Sequence, residues 1–227
     1  DATVLALARE DAIWLRVRTS TPDDGQPRAI RIERQAIDHA WLFLDGAPTR
    51  ALAEFVAGCS YKYLPSEVIS HIKFCVLDSL GCALFGSTLP WGQIITSFTK
   101  ELGKGKGALI WGDGSEVLST SAPLANGTLI HSFEMDDLHR VGVIHPGSEA
   151  IPATDALVRH VGNVDGRRFL TAVALGYEVG CRVGMTGGAA QLRRGFHPSA
   201  TSGTFAAGAA AAKMLRLNPA KTIHALG

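Results

Sequence analysis

Gly176, Gly180 and Gly184 recur every fourth residue within one apolar segment, and positions 206 to 212 hold only alanine and glycine. Residues four apart share one face of an α-helix. A glycine inside a helix costs about 1 kcal/mol relative to alanine, so a second helix packed close against the flattened face is the natural compensation. This pattern constrains the chain to fold as tightly apposed helices.

The remaining periodicity agrees. Leu52, Phe55, Val56 and Cys59 form an apolar stripe. Pro65 opens a helix in which Ile69, Ile72, Val76 and Ala83 share a face and which Gly86 ends. A third helix runs from Trp91 to Leu102, and five more segments are expected near 123–137, 148–161, 165–185, 199–216 and from 219 onward. Ala108 to Trp111 and Glu116 to Leu118, joined by Gly112-Asp113-Gly114-Ser115, read as a short hairpin. In the first 48 residues, Ile13 to Arg18 and Ala29 to Arg34 alternate apolar and charged side chains around a turn at Thr21 to Gly25, which predicts a small β appendage. The expected fold is mainly α, with 1–48 as an unassigned β-like extension and 49–227 as the helical domain.

Composition excludes several functions. Of 227 residues, 22 are Lys or Arg and 21 Asp or Glu, with no basic run, so nucleic acid is a poor partner. The best membrane-span candidate, 199–217, is broken by Lys213 and Arg216, and Glu10, Asp11 and the arginines interrupt any signal peptide. A cytoplasmic protein that engages no membrane is expected. Cys59, Cys75, Cys82 and Cys181 lack C-x-x-C spacing and fall in apolar patterns, which points to reduced core thiols.

The chemistry is concentrated between His131 and His145. Three histidines (131, 139, 145) and three carboxylates (Glu134, Asp136, Asp137) lie within fifteen residues. His145-Pro146-Gly147-Ser148 and His197-Pro198-Ser199 each precede an alanine-rich helical pattern, so both histidines are expected at helix N-termini. Free N–H groups and the helix dipole there attract carboxylates, and the same field is expected to keep both imidazoles neutral. Helical spacing continued to 137 would place His131, Glu134 and Asp137 on one face. A carboxylate beside an imidazole orients it and raises its basicity, as general acid–base catalysis needs.

The motifs Ala125-Asn126-Gly127-x-x-x-His131-x-x-Glu134-Met135-Asp136-Asp137-Leu138-His139, Ile144-His145-Pro146-Gly147-Ser148, Gly176-Tyr177-Glu178-Val179-Gly180-x-Arg182 and Gly195-Phe196-His197-Pro198-Ser199-Ala200-Thr201-x-Gly203, in that order, resemble the MmgE/PrpD family. The family includes 2-methylcitrate dehydratase, an enzyme of propionate catabolism, and cis-aconitate decarboxylase. The resemblance implies an all-helical N-terminal domain and a cofactor-independent lyase, without metal, for a small di- or tricarboxylate. A homodimer is also expected. His145 matches the family's catalytic His-Pro histidine and His197 its Gly-Phe-His-Pro histidine. Glu134 and Asp136 are carried over as catalytic carboxylates. Asp137, His139 and Ser199, together with Arg193 and Arg194, whose guanidinium forks suit carboxylates, are expected at the substrate.

Two departures bear on substrate. The family's acidic motif usually reads Asp-Phe-Asp-Asp-Thr-His, whereas Glu134 stands at its first Asp and Leu138 at its Thr. The sequence also stops in a helical pattern begun at Pro219, before the family's C-terminal lid domain and its lysine, so these 227 residues alone are expected to be inactive. Two alternatives stay open: a catalytically silent helical module for ligand binding or dimerisation, and a metal-dependent hydrolase using His131, Glu134, His139 and His145.

Overall fold

The computed structural model describes three N-terminal strands and residues 48–227. Strands β1 (Val4–Arg9), β2 (Ala12–Val17) and β3 (Arg28–Glu33) form an antiparallel sheet in the order β1-β2-β3. The β character expected for this region holds, with one strand more than the alternation indicated. The turn expected at Thr21 to Gly25 lies outside the described residues.

Among the described residues there are eight α-helices: α1 (Pro48–Gly58), α2 (Ser66–Gly86), α3 (Pro90–Leu102), α4 (Ala122–His131), α5 (Gly147–Val161), α6 (Gly166–Arg193), α7 (Pro198–Met214) and α8 (Pro219–Leu226). The protein is mainly α, as the periodicity predicts. The hairpin forms too, as β4 (Lys104–Leu109) against β5 (Glu116–Val117), and buried Asn126 of α4 pins it. The Asn126 side chain accepts from the Trp111 N–H and donates to the Leu109 carbonyl, both at 2.9 Å.

The glycine ladder brings helices together as its spacing predicts. A Cβ on Gly176 would stand 2.7 Å from Ala150 Cβ and 2.9 Å from the Ala206 carbonyl, and one on Gly180 would stand 2.6 Å from Ala206 Cβ. Three helices, α5, α6 and α7, therefore meet at backbone distance, and Ala150, Ala206 and Ala210 form a buried layer with Tyr177 against it. Such packing fixes the starts of α5 and α7 relative to one another, and both His-Pro elements sit there.

Two boundaries differ from expectation. The helix expected over 123–137 ends at His131, because Glu134 adopts φ 57° and the chain leaves the helical path. The helix expected to stop at 185 continues to Arg193 through a break at Gly188 (φ 33°, ψ −126°), where a side chain would meet the Val141 carbonyl. The most membrane-like helix is α2 rather than the 199–217 segment. An 18-residue stretch within its 21 residues reaches a mean hydropathy of 1.6, and by length and composition alone it could cross a membrane. Its Ile72, Cys75, Cys82 and Ala83 are nonetheless buried in the helical body. All four cysteines are free, and burial pushes the Cys75 thiol up to about 11 and Cys181 up to about 12, as suits reduced packing residues.

Candidate active site

The chain between α4 and α5 doubles back on itself. His139 and Ile144 pair as an antiparallel bridge, with the His139 N–H donating to the Ile144 carbonyl at 2.9 Å. That closure returns His145 to the end of α4, where His131 is the last helical residue. The imidazoles of His131 and His145 have centroids 4.4 Å apart, and His197, at the N-cap of α7, stacks on His131 at 5.6 Å with the ring planes 23° apart. The two His-Pro histidines thus converge on one place, and the ring between them is His131.

Asp136 organises the group. Its buried carboxylate lies 3.1 Å from His131 Nδ1 and 3.2 Å from His145 Nδ1, the second contact being off the line of a well-directed hydrogen bond. On the far side of the rings, Glu134 stands 3.4 Å from His131 Nε2 and 3.8 Å from His145 Nε2, with its own side chain 70% exposed. Two imidazoles are therefore held between an interior anion and a surface one. Contact with the Asp136 carboxylate raises both histidines, and burial opposes it with smaller effect. Burial would raise Asp136, yet the two imidazoles together hold it below the ordinary carboxylate range. The helix dipole expected to keep His145 neutral is opposed here by a carboxylate in contact, which raises its basicity.

The helix N-terminus itself is occupied. The Gly147 N–H, the first of α5, donates to Asp137 Oδ1 at 3.2 Å, and the hydroxyls of Ser79 and Tyr177 crowd the same point. Asp137, expected to bind substrate, instead fills the anion position with the chain's own carboxylate. Burial pushes it up to about 6. Ser199 is likewise turned inward, its hydroxyl accepting the His145 N–H at 3.0 Å, which ties the start of α7 to the start of α5.

His139, Arg193 and Arg194 do not join the cluster. His139 Nδ1 accepts the Gly142 N–H at 3.1 Å inside the returning turn, and burial lowers its basicity. Arg193 and Arg194 are exposed at the end of α6, without an ion pair to any described residue. The helical face expected to align His131 with Asp137 does not exist, since α4 ends first. Of the expected metal-ligand set, His139 is elsewhere; His131, Asp136 and His145 bring their donor atoms within 4.8 Å of one another.

A cavity of about 540 Å³ opens between α4, α5 and α7, lined by His131, Ser148, Glu149, His197, Ser199 and Gly203 among others. His145, its side chain only 11% exposed, stands outside that wall. The expected site omitted two side chains that the cavity displays. His131 was visible as a histidine, but its partnership with Asp136 forms across a helix end. Glu149 reads in sequence as an ordinary first-turn carboxylate, and only its packing shows that one of its oxygens is cut off from solvent.

The comparisons with known proteins cover most of the chain. A cis-aconitate decarboxylase-like protein, oryM, of Aspergillus oryzae is 32% identical over 190 residues, 81% of this chain and 39% of the relative. Cis-aconitate decarboxylase of Aspergillus terreus is 27% identical over 184 residues (79% and 38%), and that of Homo sapiens 30% over 183 residues (78% and 38%). The chain thus spans less than two fifths of the length of these relatives. The family model of the MmgE/PrpD N-terminal domain matches residues 50–227, from α1 through α8 and across all three clustered histidines, and the chain belongs to the MmgE/PrpD family.

Proposed function

We propose that this chain is the histidine-bearing part of a cofactor-independent lyase that acts on a small di- or tricarboxylate. The observation that carries this reading is the His131–His145 pair bridged by Asp136, with His197 stacked at the cavity wall. An imidazole whose basicity is raised by a buried carboxylate is better able to take up a proton and deliver it. In a decarboxylation, the bond from carbon to a carboxylate breaks, carbon dioxide leaves, and the electron pair stays on carbon. The cluster then protonates that carbon through His131, the ring of the bridged pair that reaches the cavity. In a dehydration, His197 takes the proton next to a carboxylate while the protonated pair gives one to the departing hydroxyl, which leaves as water. The N-terminus of α7 opens on the same cavity at Ser199 and Ala200 and supplies N–H groups for a substrate carboxylate.

The names of the relatives favour cis-aconitate decarboxylation over 2-methylcitrate dehydration and propionate catabolism. The intact gene product should be tested on cis-aconitate, 2-methylcitrate and related acids, following carbon dioxide release and the ultraviolet absorbance of the double bond. His145→Gln keeps hydrogen bonding but cannot exchange a proton near neutral pH, so turnover should fall about 100-fold or more with folding retained. Near-normal turnover in that variant removes His145 from the chemistry. Metal analysis of the same active sample discriminates the hydrolase alternative: activity that follows a bound metal refutes cofactor independence.

We also place the protein in the cytoplasm and read it as a homodimer. The exposed Phe74, Leu77 and Leu84 of α2 and Ile94 and Phe98 of α3 are apolar surface of the kind that subunits cover. Light scattering on the intact gene product checks this, and a monomer at micromolar concentration refutes it.

A further inference from the structure

Of the titratable side chains that line the cavity, His131, Glu149 and His197, only Glu149 has no part in the mechanism above. It occupies the first turn of α5, where an exposed carboxylate would favour the helix dipole. Packing against α7 covers much of it instead, and the rest faces the cavity. A Cβ on Gly203 would lie 2.5 Å from Glu149 Cγ and 2.6 Å from Cδ, so the absence of a side chain at 203 is what admits the glutamate. Its Oε2 is cut off from solvent and has no hydrogen-bond partner. The adjacent Ser148 hydroxyl is committed to the His145 carbonyl at 2.8 Å.

The surroundings favour the neutral acid. Burial pushes Glu149 up to about 8, and the carboxylates of Asp136 and Asp137 act in the same direction, while His145 and the Ser148 hydroxyl oppose them. Cys181 on α6 also feels Glu149, and burial pushes its thiol up to about 12. His131 at the end of α4 and His197 at the start of α7 share the cavity wall with it. A carboxylic acid differs from a carboxylate in having a proton to donate. It also does not repel an anion. Glu149 lines the cavity, where a ligand acceptor can take that proton.

We propose that Glu149 is a neutral hydrogen-bond donor of this site, receiving one carboxylate of the substrate and selecting for acids that carry a carboxylate at that point. The proposal rests on the polycarboxylate lyase reading. Above a pH of about 8 the group ionises, the donor is lost, and a like charge faces the substrate.

The test uses the intact gene product with cis-aconitate as probe, measuring KM, kcat and the calorimetric Kd from about pH 6 to 9.5. For the unmodified protein, KM and Kd should rise by up to about tenfold per pH unit above about 8, with kcat changing much less. Glu149→Gln, which keeps a donor of the same shape without ionising, should flatten that rise. Glu149→Leu, which removes the donor, should raise KM near neutral pH by about tenfold or more. A Glu149→Gln protein whose KM still climbs like the unmodified one, or a Glu149→Leu protein with unchanged KM near neutral pH, overturns the proposal alone. Failure of the unmodified protein to bind any di- or tricarboxylate near neutral pH overturns the lyase reading and the proposal together.

Discussion

Replacing Glu149 by Gln should remove a pH dependence from folding stability, with no ligand involved. The unfolded chain carries a glutamate that ionises near 4.5, whereas burial in the folded protein pushes the same group up to about 8. Between those values the folded state keeps a proton that the unfolded state has released, so stability falls as pH rises. At about 1.36 kcal/mol per pH unit, the loss between about pH 5 and pH 7.5 is about 3 kcal/mol. This is a large fraction of the roughly 5–15 kcal/mol typical of a domain. Other groups also titrate but remain in both proteins. Asp137 is pushed up to about 6 by burial and contributes mainly below that pH. His131 and His145 are raised by Asp136, so their stabilisation is complete below the ordinary histidine value and is lost as pH rises through the folded one. Asp136 is lowered, and its contribution disappears only in acid. The observable is therefore the difference between the two proteins. Urea unfolding at half-unit intervals from about pH 5 to 8 should give a steep decline for the unmodified protein and a shallower one for Glu149→Gln. Burying the amide carries a hydrogen-bonding cost of its own, but that cost is independent of pH and displaces the curve without tilting it. Parallel curves would refute the burial argument for Glu149.

Three further outcomes follow from the geometry. Asp136→Asn removes the shared anion, so both His131 and His145 should titrate at lower pH, visible in the ring-proton NMR shifts; unchanged titrations would mean that Asp136 does not set their basicity. Gly176→Val adds a branched side chain where a Cβ alone would stand 2.7 Å from Ala150 Cβ, so the protein should lose about 2 kcal/mol or more in urea unfolding, and equal stability would refute the close approach of α5, α6 and α7. The 227 residues alone should fold as helices yet fail to turn over an acid that the intact gene product converts; comparable rates would show that this chain contains all that catalysis needs.

Much of this protein was legible in its residues. Helix periodicity located α1 to α8 within a few positions, apart from the ends of α4 and α6, and the spacing of Gly176, Gly180 and Gly184 announced the close packing that the structure displays. Those signals are local and repeat along the chain, and local geometry decides them. The convergence of His145 and His197 was carried by two similar His-Pro elements at helix starts. The errors share a different cause. The end of α4 depended on the returning turn that pairs His139 with Ile144, and the N-terminus of α5 was read as open although Asp137, ten residues earlier, fills it. At His145 the helix dipole is opposed by Asp136, which reaches it only through the fold. Glu149 looks solvated in sequence and is half-buried because Gly203, far along the chain, has no side chain. Sequence determined which segments are helical and which residue types the site contains. Only tertiary structure decided which of them touch, and because electrostatic effects depend on contact and burial, it alone decided which carry protons.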